Sequence, residues 1–553
     1  MKLHLPKVLC MAVMAAMACT TAQAVEAVVD VGFVDTSVDA TKHSIITAKT
    51  TDVTVGKDQA AGAFTTNDDG NKVLTTSFGS YTDTANNAVI SNHLKVSGKL
   101  TINDNGQVYL GGQVKKTGSR DAYGGLIADS VEINGDGSVT NLDVGTATIG
   151  TLTLNSGKVR IHKEGTPSGN SYAATVGTDC KTVTINKAVN VNGGLLDMGY
   201  EAQAGSGKSH YQAFFSNGAK INQTDGTIKI AGQTRLNSGV SITQSGGTFD
   251  TPTTEKGQLA FELGSGSYTI NQINPESGED PEKQPELTIR RLAAASTTKL
   301  DITQTADKGI INLTAGTNVA GTVFELKNTS TLKQDTVTGV INLNGDFSGA
   351  TYNVEQSGSG TININSDCKF VANELSVGGD AKLNIAGSLT LNEGGTFKIA
   401  VNSAHDAAMN LGDNGTFSIA ATTQALSLSL HEAVVSDMMD TVESATESGL
   451  LTYTIDLISA TDKGTLEDLK GKLTWEWEGL PETAALAADT LTTVVTYDYI
   501  DSKLIVNDMG DGTYMLQAAT NWNVTVTEPI PEPATATLSL LALAGLAARR
   551  RRR

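Results

Sequence analysis

The chain has 553 residues, including 57 Gly and 10 Pro, and a formal net charge of −19. A negative charge of this size repels nucleic-acid phosphates and anionic lipid, so the composition argues against a nucleic-acid partner. Hydrophobic residues make up 39% of the chain, which is too many for a wholly disordered protein. Abundant Gly, Thr, Asn and Ser, with only 5% aromatic residues, favour short strands joined by tight turns.

The first 24 residues predict a secretory signal peptide. Lys2 and Lys7 form a basic start, an apolar run extends from Val8 to Ala18, and Ala22 and Ala24 form a small-residue cleavage site. The run is too short to span a bilayer. The alternative, a lipoprotein signal, lacks the leucine that usually stands three positions before the modified cysteine. We therefore expect signal peptidase to release a mature chain beginning at residue 25.

Short segments with alternating apolar and polar residues recur along the body of the chain. Three of them, Ile341–Asn344, Ile362–Asn365 and Leu383–Ala386, start 21 residues apart. Alternation places the apolar residues on one face of a strand and the Asn residues on the other. If successive coils stack about 4.8 Å apart, Asn342, Asn363 and Asn384 form an outward ladder of paired amides.

The same pattern occurs earlier in the chain at less regular intervals, in Leu100–Asn103, Val131–Asn134, Leu152–Asn155 and Val183–Asn186. The recurrence predicts a mainly β fold, a parallel β-helix or related solenoid over residues 25–423. An array of β-sandwiches is the alternative. It would explain the glycines but not the repeated interval of 21 residues.

Two changes in residue composition and spacing along the chain predict the domain organisation. Three prolines within residues 274–285 are incompatible with a ladder strand, so we expect an exposed loop or hinge near 274–286. From residue 424 to 527 the pattern indicates a small α+β cap domain. Helix-like spacing is clearest over Glu432–Ser448 and weaker over Leu466–Leu473, and strands are expected beyond them. Such a domain would cover the open end of the solenoid.

Residues of the types that form disulfides, bind metals or act in catalysis are sparse in the body of the chain. Cys180 and Cys368 are too far apart along a continuous solenoid to form a disulfide, and the histidines have no metal-ligand spacing. We therefore predict no catalytic residues, no metal site and no cofactor. Trp475 and Trp477 alternate with acids on one strand and form a possible sugar platform, although two such tryptophans are more often core residues.

The C-terminal end has three parts in a fixed order. Pro531, Glu532 and Pro533 form an extended motif, because each proline ring fixes φ. A largely apolar stretch follows from Ala534 to Ala548. The chain then ends in an arginine cluster of the kind that stops transfer across a membrane, comprising Arg549, Arg550, Arg551, Arg552 and Arg553.

This tail resembles the PEP-CTERM sorting signal of Gram-negative bacteria. The resemblance implies recognition of Pro531–Pro533 by an exosortase-type processing enzyme, transient contact with the inner membrane, and delivery to the outer surface or extracellular matrix. It covers only residues 528–553. The alternative is an ordinary C-terminal anchor that is never cleaved.

Together these features predict an exported structural or adhesive protein of the cell envelope. Its partners would include exopolysaccharide, which the family implies, or host glycans, which the polar outer residues favour. The alternative is a surface carbohydrate-active enzyme, a polysaccharide lyase or hydrolase on a β-helix. That activity requires carboxylates, or a basic residue beside a metal, that converge on one face.

Overall fold

The structure of the chain is a computed structural model. It describes residues 30–32, 43–47, 52–55, 65–66, 72–75, 81–83, 88–103, 106–110, 125–135, 141–144, 146–161, 183–199, 213–231, 234–251, 261–275, 284–294, 298–316, 324–326, 328–478, 483–485 and 494–527. The signal segment 1–24 and the sorting tail 528–553 lie outside these residues.

The described residues form forty strands and two helices. The strands up to residue 199 are β1 (Asp30–Gly32), β2 (His43–Thr47), β3 (Val53–Val55), β4 (Thr65–Thr66), β5 (Lys72–Thr75), β6 (Tyr81–Asp83), β7 (Ala88–Ile102), β8 (Gln107–Leu110), β9 (Gly125–Ile133), β10 (Asn141–Val144), β11 (Thr146–Leu154), β12 (Lys158–Ile161), β13 (Val183–Val191) and β14 (Leu195–Gly199).

The next strands, up to residue 344, are β15 (Ala213–Phe215), β16 (Lys220–Gln223), β17 (Thr227–Ala231), β18 (Thr234–Leu236), β19 (Ser241–Gln244), β20 (Thr248–Asp250), β21 (Phe261–Leu263), β22 (Gly266–Gln272), β23 (Glu286–Ala294), β24 (Thr298–Gln304), β25 (Ile310–Ala315), β26 (Ser330–Thr336) and β27 (Val340–Asn344).

The remaining elements are β28 (Tyr352–Gly358), β29 (Thr361–Ile364), β30 (Lys369–Val377), β31 (Lys382–Ile385), β32 (Ser388–Val401), β33 (Met409–Leu411), β34 (Thr416–Ile419), β35 (Gln424–Leu430), α1 (Glu432–Glu443), β36 (Gly449–Ala460), α2 (Lys463–Lys472), β37 (Leu473–Glu478), β38 (Thr483–Ala485), β39 (Val494–Asp508) and β40 (Tyr514–Thr527).

Successive coils pair in parallel, which confirms the prediction of a mainly β, solenoid fold. For example, β27 pairs with β29 and β29 with β31, so that Ile341, Ile362 and Leu383 lie one above another. Each of these three side chains is 1% exposed or less. A single strand has too little apolar surface to form a core, and stacking joins these residues into a continuous buried column.

Each coil in the middle of the solenoid has three sides. Two of them carry columns of amide side chains, one of Asn and one of Gln, and are called the Asn face and the Gln face. The Asn face consists of β25, β27, β29 and β31, and the Gln face consists of β16, β19, β22, β24, β26 and β28. Isolated parallel bridges such as Asp346 to Lys369 define the short third side. Phe324, Phe347 and Phe370 stack inside it, with ring centroids 4.9 and 6.3 Å apart.

The register differs from the sequence prediction at one early segment. Leu152 pairs with Val189, whereas Val183 pairs with Ala147, so Val189–Asn192 takes the place that was predicted for Val183–Asn186. The alternating pattern recurs on several sides of one coil, so a matching tetrapeptide does not identify the side on which it lies. The asparagines that end these stacked segments are hydrogen-bonded to one another at intervals of 31, 21 and 37 residues, through Asn103, Asn134, Asn155 and Asn192.

Extra residues are inserted between strands and also within them, since the pairing of β23 with β25 shifts register between Ile289 and Leu292. The proline-rich stretch predicted as a loop or hinge lies between the end of β22 at Gln272 and the start of β23 at Glu286, and residues 276–283 lie outside the described part. Gln272 Nε2 donates to the carbonyl oxygen of Pro285 at 2.9 Å. This bond connects the two ends of the inserted segment to the same corner.

The predicted cap region is joined to the solenoid by strand pairing. β35 pairs in parallel with both β32 and β37, and β36 pairs in parallel with β33 and antiparallel with β40, which forms a hairpin with β39. α1 buries Val434, Met438 and Val442, and Trp522 from β40 is 0% exposed. Parallel pairing thus continues past residue 424 into the α+β region.

Candidate functional site

A ladder of amides runs along the outside of the Asn face. Asn363 Nδ2 donates to Asn342 Oδ1 at 2.8 Å, and Asn384 Nδ2 donates to Asn363 Oδ1 at 2.9 Å. This confirms the outward ladder predicted from the sequence. Asn342 in turn donates to Asn312 at 2.7 Å, and Asn312 donates to the hydroxyl of Thr288 at 3.0 Å. The ladder therefore joins five successive coils.

Two columns of side chains flank this ladder. Ile310 and Val340 are partly exposed on one side, and on the other Asn365 Nδ2 donates to Asn344 Oδ1 at 2.8 Å. We call this surface the Asn strip. It consists of the partly exposed residues Ile310, Asn312, Thr314, Val340, Asn342, Asn344, Thr361, Asn363 and Asn365 together with Asn384.

The Asn strip contains no charged residue over β25, β27 and β29, but the column of Ile310, Val340 and Thr361 ends in a charged residue on each side, Glu286 and Lys382. The Asn column itself is charged in earlier coils. There the positions that align with Asn312 are Arg160, Asp197, Lys229 and Asp250, which alternate in sign. The geometry of this side of the solenoid is thus compatible with charged residues. The strip differs from those coils in chemistry rather than in backbone structure.

The amides of the strip retain unused hydrogen-bonding groups. An asparagine side chain has two N–H donors and an oxygen with two lone pairs. Asn342 and Asn363 each use one donor and one lone pair within the ladder. Each therefore offers a further donor and acceptor to a ligand, and the ladder fixes the orientation of both. The strip can bind a polar, uncharged partner that has hydroxyl or amide groups.

A second amide ladder, which the sequence analysis missed, lies inside the solenoid. Six glutamines on the Gln face are 2% exposed or less. Each amide nitrogen after the first donates to the glutamine oxygen of the preceding coil, at 2.7–3.1 Å, through Gln223, Gln244, Gln272, Gln304, Gln334 and Gln356. The sequence signal was a recurring aliphatic residue, any residue, then Gln, as in Ile242–Gln244 and Ile302–Gln304.

The Gln ladder holds the corner between the Gln face and the Asn face. Gln334 Nε2, for example, donates to the carbonyl oxygens of Gly339 and Thr361, each at 3.0 Å. Thr361 begins the Asn-face strand of the next coil. Since a buried amide without partners is costly, these bonds favour one register between coils. The ladder ends at Gln356, whose Oε1 is buried without a hydrogen-bond partner.

The single described cysteine is a core residue. Cys368 is 1% exposed and unpaired, and burial raises the pKa of its thiol to about 12, with smaller contributions from Asp367 and Asp346. Burial likewise raises the pKa of Tyr352, which stacks on Phe370 with ring centroids 4.8 Å apart. Protonated, enclosed groups of this kind are poor nucleophiles. Cys180 lies outside the described residues.

The sites predicted from the sequence are placed only in part. Ala22, Ala24, Pro531–Pro533 and the terminal arginines lie outside the described residues. Trp475 pairs with Leu426 and is half-buried against the core. Trp477 follows on the same strand, opposite Leu428. A sugar-binding role for this pair stays a prediction.

Two acidic side chains of the central coils form ion pairs with basic ones. Glu262 contacts Arg235 at 2.8 Å and Glu355 contacts Lys333 at 3.0 Å. Within the part of the chain that the structure describes, no group of three or more His, Cys, Asp or Glu residues is placed to hold a metal ion. Among those residues, no helix is long and apolar enough to cross a membrane.

The fold and the Asn strip define a class of protein, a parallel β-solenoid with an uncharged amide surface over three coils of one side. Comparison with protein-family models, with curated proteins and with solved structures gives no match for this chain. The class therefore rests on the strand pairing and side-chain geometry described above.

Proposed function

We propose that this chain is an exported structural or adhesive protein of the bacterial cell envelope. The N-terminal signal would direct export, and the tail with Pro531–Pro533 would direct sorting by an exosortase-type enzyme. The solenoid would then lie at the outer surface or in the extracellular matrix. The acidic charge of the chain, −19 overall, is compatible with a soluble rod that repels other acidic polymers.

The observation that carries an adhesive role is the Asn strip. A column of amides repeated from coil to coil, with Asn342 and Asn363 at its centre, offers many weak polar contacts in a row. Repeated contacts give a polymer high avidity even where each one is weak. Exopolysaccharide or host glycans are partners whose hydroxyl groups suit such a surface.

Mass spectrometry of the terminal peptides from separated cell fractions tests export and sorting. We expect an envelope or extracellular species that begins at Val25 and lacks Arg549–Arg553. Replacing Pro531 and Pro533 by Ala should leave the basic end attached and the protein at the inner membrane, whereas the matched change Pro529→Ala should have a smaller effect. Recovery of the intact chain from the cytosol would contradict the proposed function.

A further inference from the structure

We propose that the Asn strip binds an extended, uncharged polysaccharide that lies along the solenoid axis. This inference rests on the proposed function, because it names the class of ligand and the surface that would take it. It concerns the central coils, where Asn342 and Asn363 form the ladder and Val340 and Thr361 stand beside it.

The absence of charge over β25, β27 and β29 identifies the class of ligand, because the charged residues of the flanking column, Glu286 and Lys382, lie one coil beyond these strands. A site for an anionic polymer would need Lys or Arg, and a site for a cationic polymer would need acids. The outward residues of β25, β27 and β29 supply only aliphatic, hydroxyl and amide groups. Sugar hydroxyls donate and accept hydrogen bonds, as the outer groups of Asn342 and Asn363 do. Neutral sugars therefore match the strip in both hydrogen-bonding capacity and charge.

The repeat of the strip determines the direction of the ligand. Successive amides are one coil apart, about 4.8 Å, so the three steps from Asn312 to Asn384 extend about 14 Å. A polymer lying along the axis meets an equivalent amide at each step. A polymer lying across the axis would meet the Asn column only once. The column of Ile310 and Val340 runs in the same direction and offers apolar contact for the C–H groups of sugar rings.

The ladder also lowers the entropy lost on binding. A free Asn side chain loses rotamer freedom when a ligand orders it, and this loss weakens binding. The bonds from Asn342 to Asn312 and from Asn363 to Asn342 already fix these side chains. The strip is thus preorganised for several contacts at once.

Affinity gel electrophoresis of the folded protein tests the inference. The probes are the neutral polymers β-glucan, xyloglucan, galactomannan and xylan, with alginate and polygalacturonate as anionic probes. We expect at least one neutral polymer to retard the protein and both anionic ones to leave it unretarded. Calorimetric titration with oligosaccharides of the retarding polymer should show affinity that rises with length until the strip is filled.

Two variants locate the site. Asn363→Asp places a negative charge in the ladder and removes a donor, and Thr361→Lys places a long charged side chain over the strip without removing a ladder bond. Each should weaken binding at least tenfold. The matched controls are Asn222→Asp, which alters the amide pair with Asn190 on the Gln face (2.8 Å), and Thr269→Lys on that same face. Both controls should bind as the unchanged protein does.

Three results would overturn the inference: retardation by none of the neutral polymers, retardation by the anionic ones alone, or equal loss of binding in the strip variants and their controls. Thr361→Lys keeps the test valid if Asn363→Asp fails to fold. Correctly processed envelope protein that binds no neutral polymer would contradict this inference and leave the proposed function standing. Recovery of an unprocessed chain from the cytosol would contradict the proposed function instead.

Discussion

Replacing Gln304 by Ala tests whether the Gln ladder stabilises the solenoid. The side chain is 0% exposed. Its Nε2 donates to Gln272 Oε1 at 2.7 Å and to the carbonyl oxygens of Gly309 and Val340 at 2.9 and 3.1 Å. Its Oε1 accepts from Gln334 Nε2 at 2.8 Å. The substitution removes all four bonds.

The expected loss of stability follows from the groups left behind. Gln272 Oε1 loses its donor, and an unsatisfied buried polar group costs about 1–3 kcal/mol. Gln334 Nε2 and the carbonyl of Gly309 keep other partners, so those bonds are lost at roughly 1 kcal/mol each or less. A small cavity adds to the cost. We expect the free energy of unfolding to fall by about 3–5 kcal/mol.

Denaturant unfolding followed by far-UV circular dichroism measures this loss. Thr303→Ala is the matched control, because Thr303 directly precedes Gln304 on the same strand and faces outward. It should change the free energy of unfolding by about 0.5 kcal/mol or less. Gln356→Ala should cost less than Gln304→Ala, because it also removes an acceptor that has no partner. Equal effects of Gln304→Ala and Thr303→Ala would refute a stabilising role for the ladder.

Three further predictions concern other positions. Gly358 and Gly394 share a φ of 76°, but a Cβ at Gly358 would lie 2.2 Å from the carbonyl oxygen of Thr336, whereas a Cβ at Gly394 would meet open space. Gly358→Ala should therefore lower the melting temperature far more than Gly394→Ala, in which backbone strain alone costs about 1 kcal/mol. Equal shifts of the melting temperature would contradict this. Trp522→Ala should cost about 3–5 kcal/mol in denaturant unfolding, and Trp522→Phe clearly less; a loss below about 1 kcal/mol for the Ala variant would argue against a buried indole. Because its thiol pKa is raised to about 12, Cys368 should react with iodoacetamide at pH 8 only after denaturation, as judged by mass spectrometry; equal labelling of the native protein would contradict burial.

The constant interval of 21 residues made part of the fold predictable. Where Asn342, Asn363 and Asn384 recur without insertions, the ladder found in the structure is the one expected. The first helix was expected to begin at Glu432, and it does, although it ends at Glu443 rather than at Ser448. Short alternating segments fix which residues point inward, and that information is local.

Register and the interior ladder were not predictable in the same way. Val183–Asn186 and Val189–Asn192 look alike in sequence, and only the pairing of Leu152 with Val189 distinguishes them. The six buried glutamines recur at intervals of 21, 28, 32, 30 and 22 residues, so no constant period reveals them. Polar side chains are ordinarily expected outside, which also hid their role.

The sequence by itself determined the alternation of apolar and polar residues, hence the strands, because burial of one face is a local consequence of a two-residue period. The recurrence of these segments 21 residues apart predicted their parallel stacking. The two terminal signals stay predictions from the sequence. Only the tertiary structure decided which amides share a column, because loops of unequal length enter at the corners. The uncharged strip around Asn342 and the buried ladder through Gln304 both depend on contacts between residues far apart in the chain.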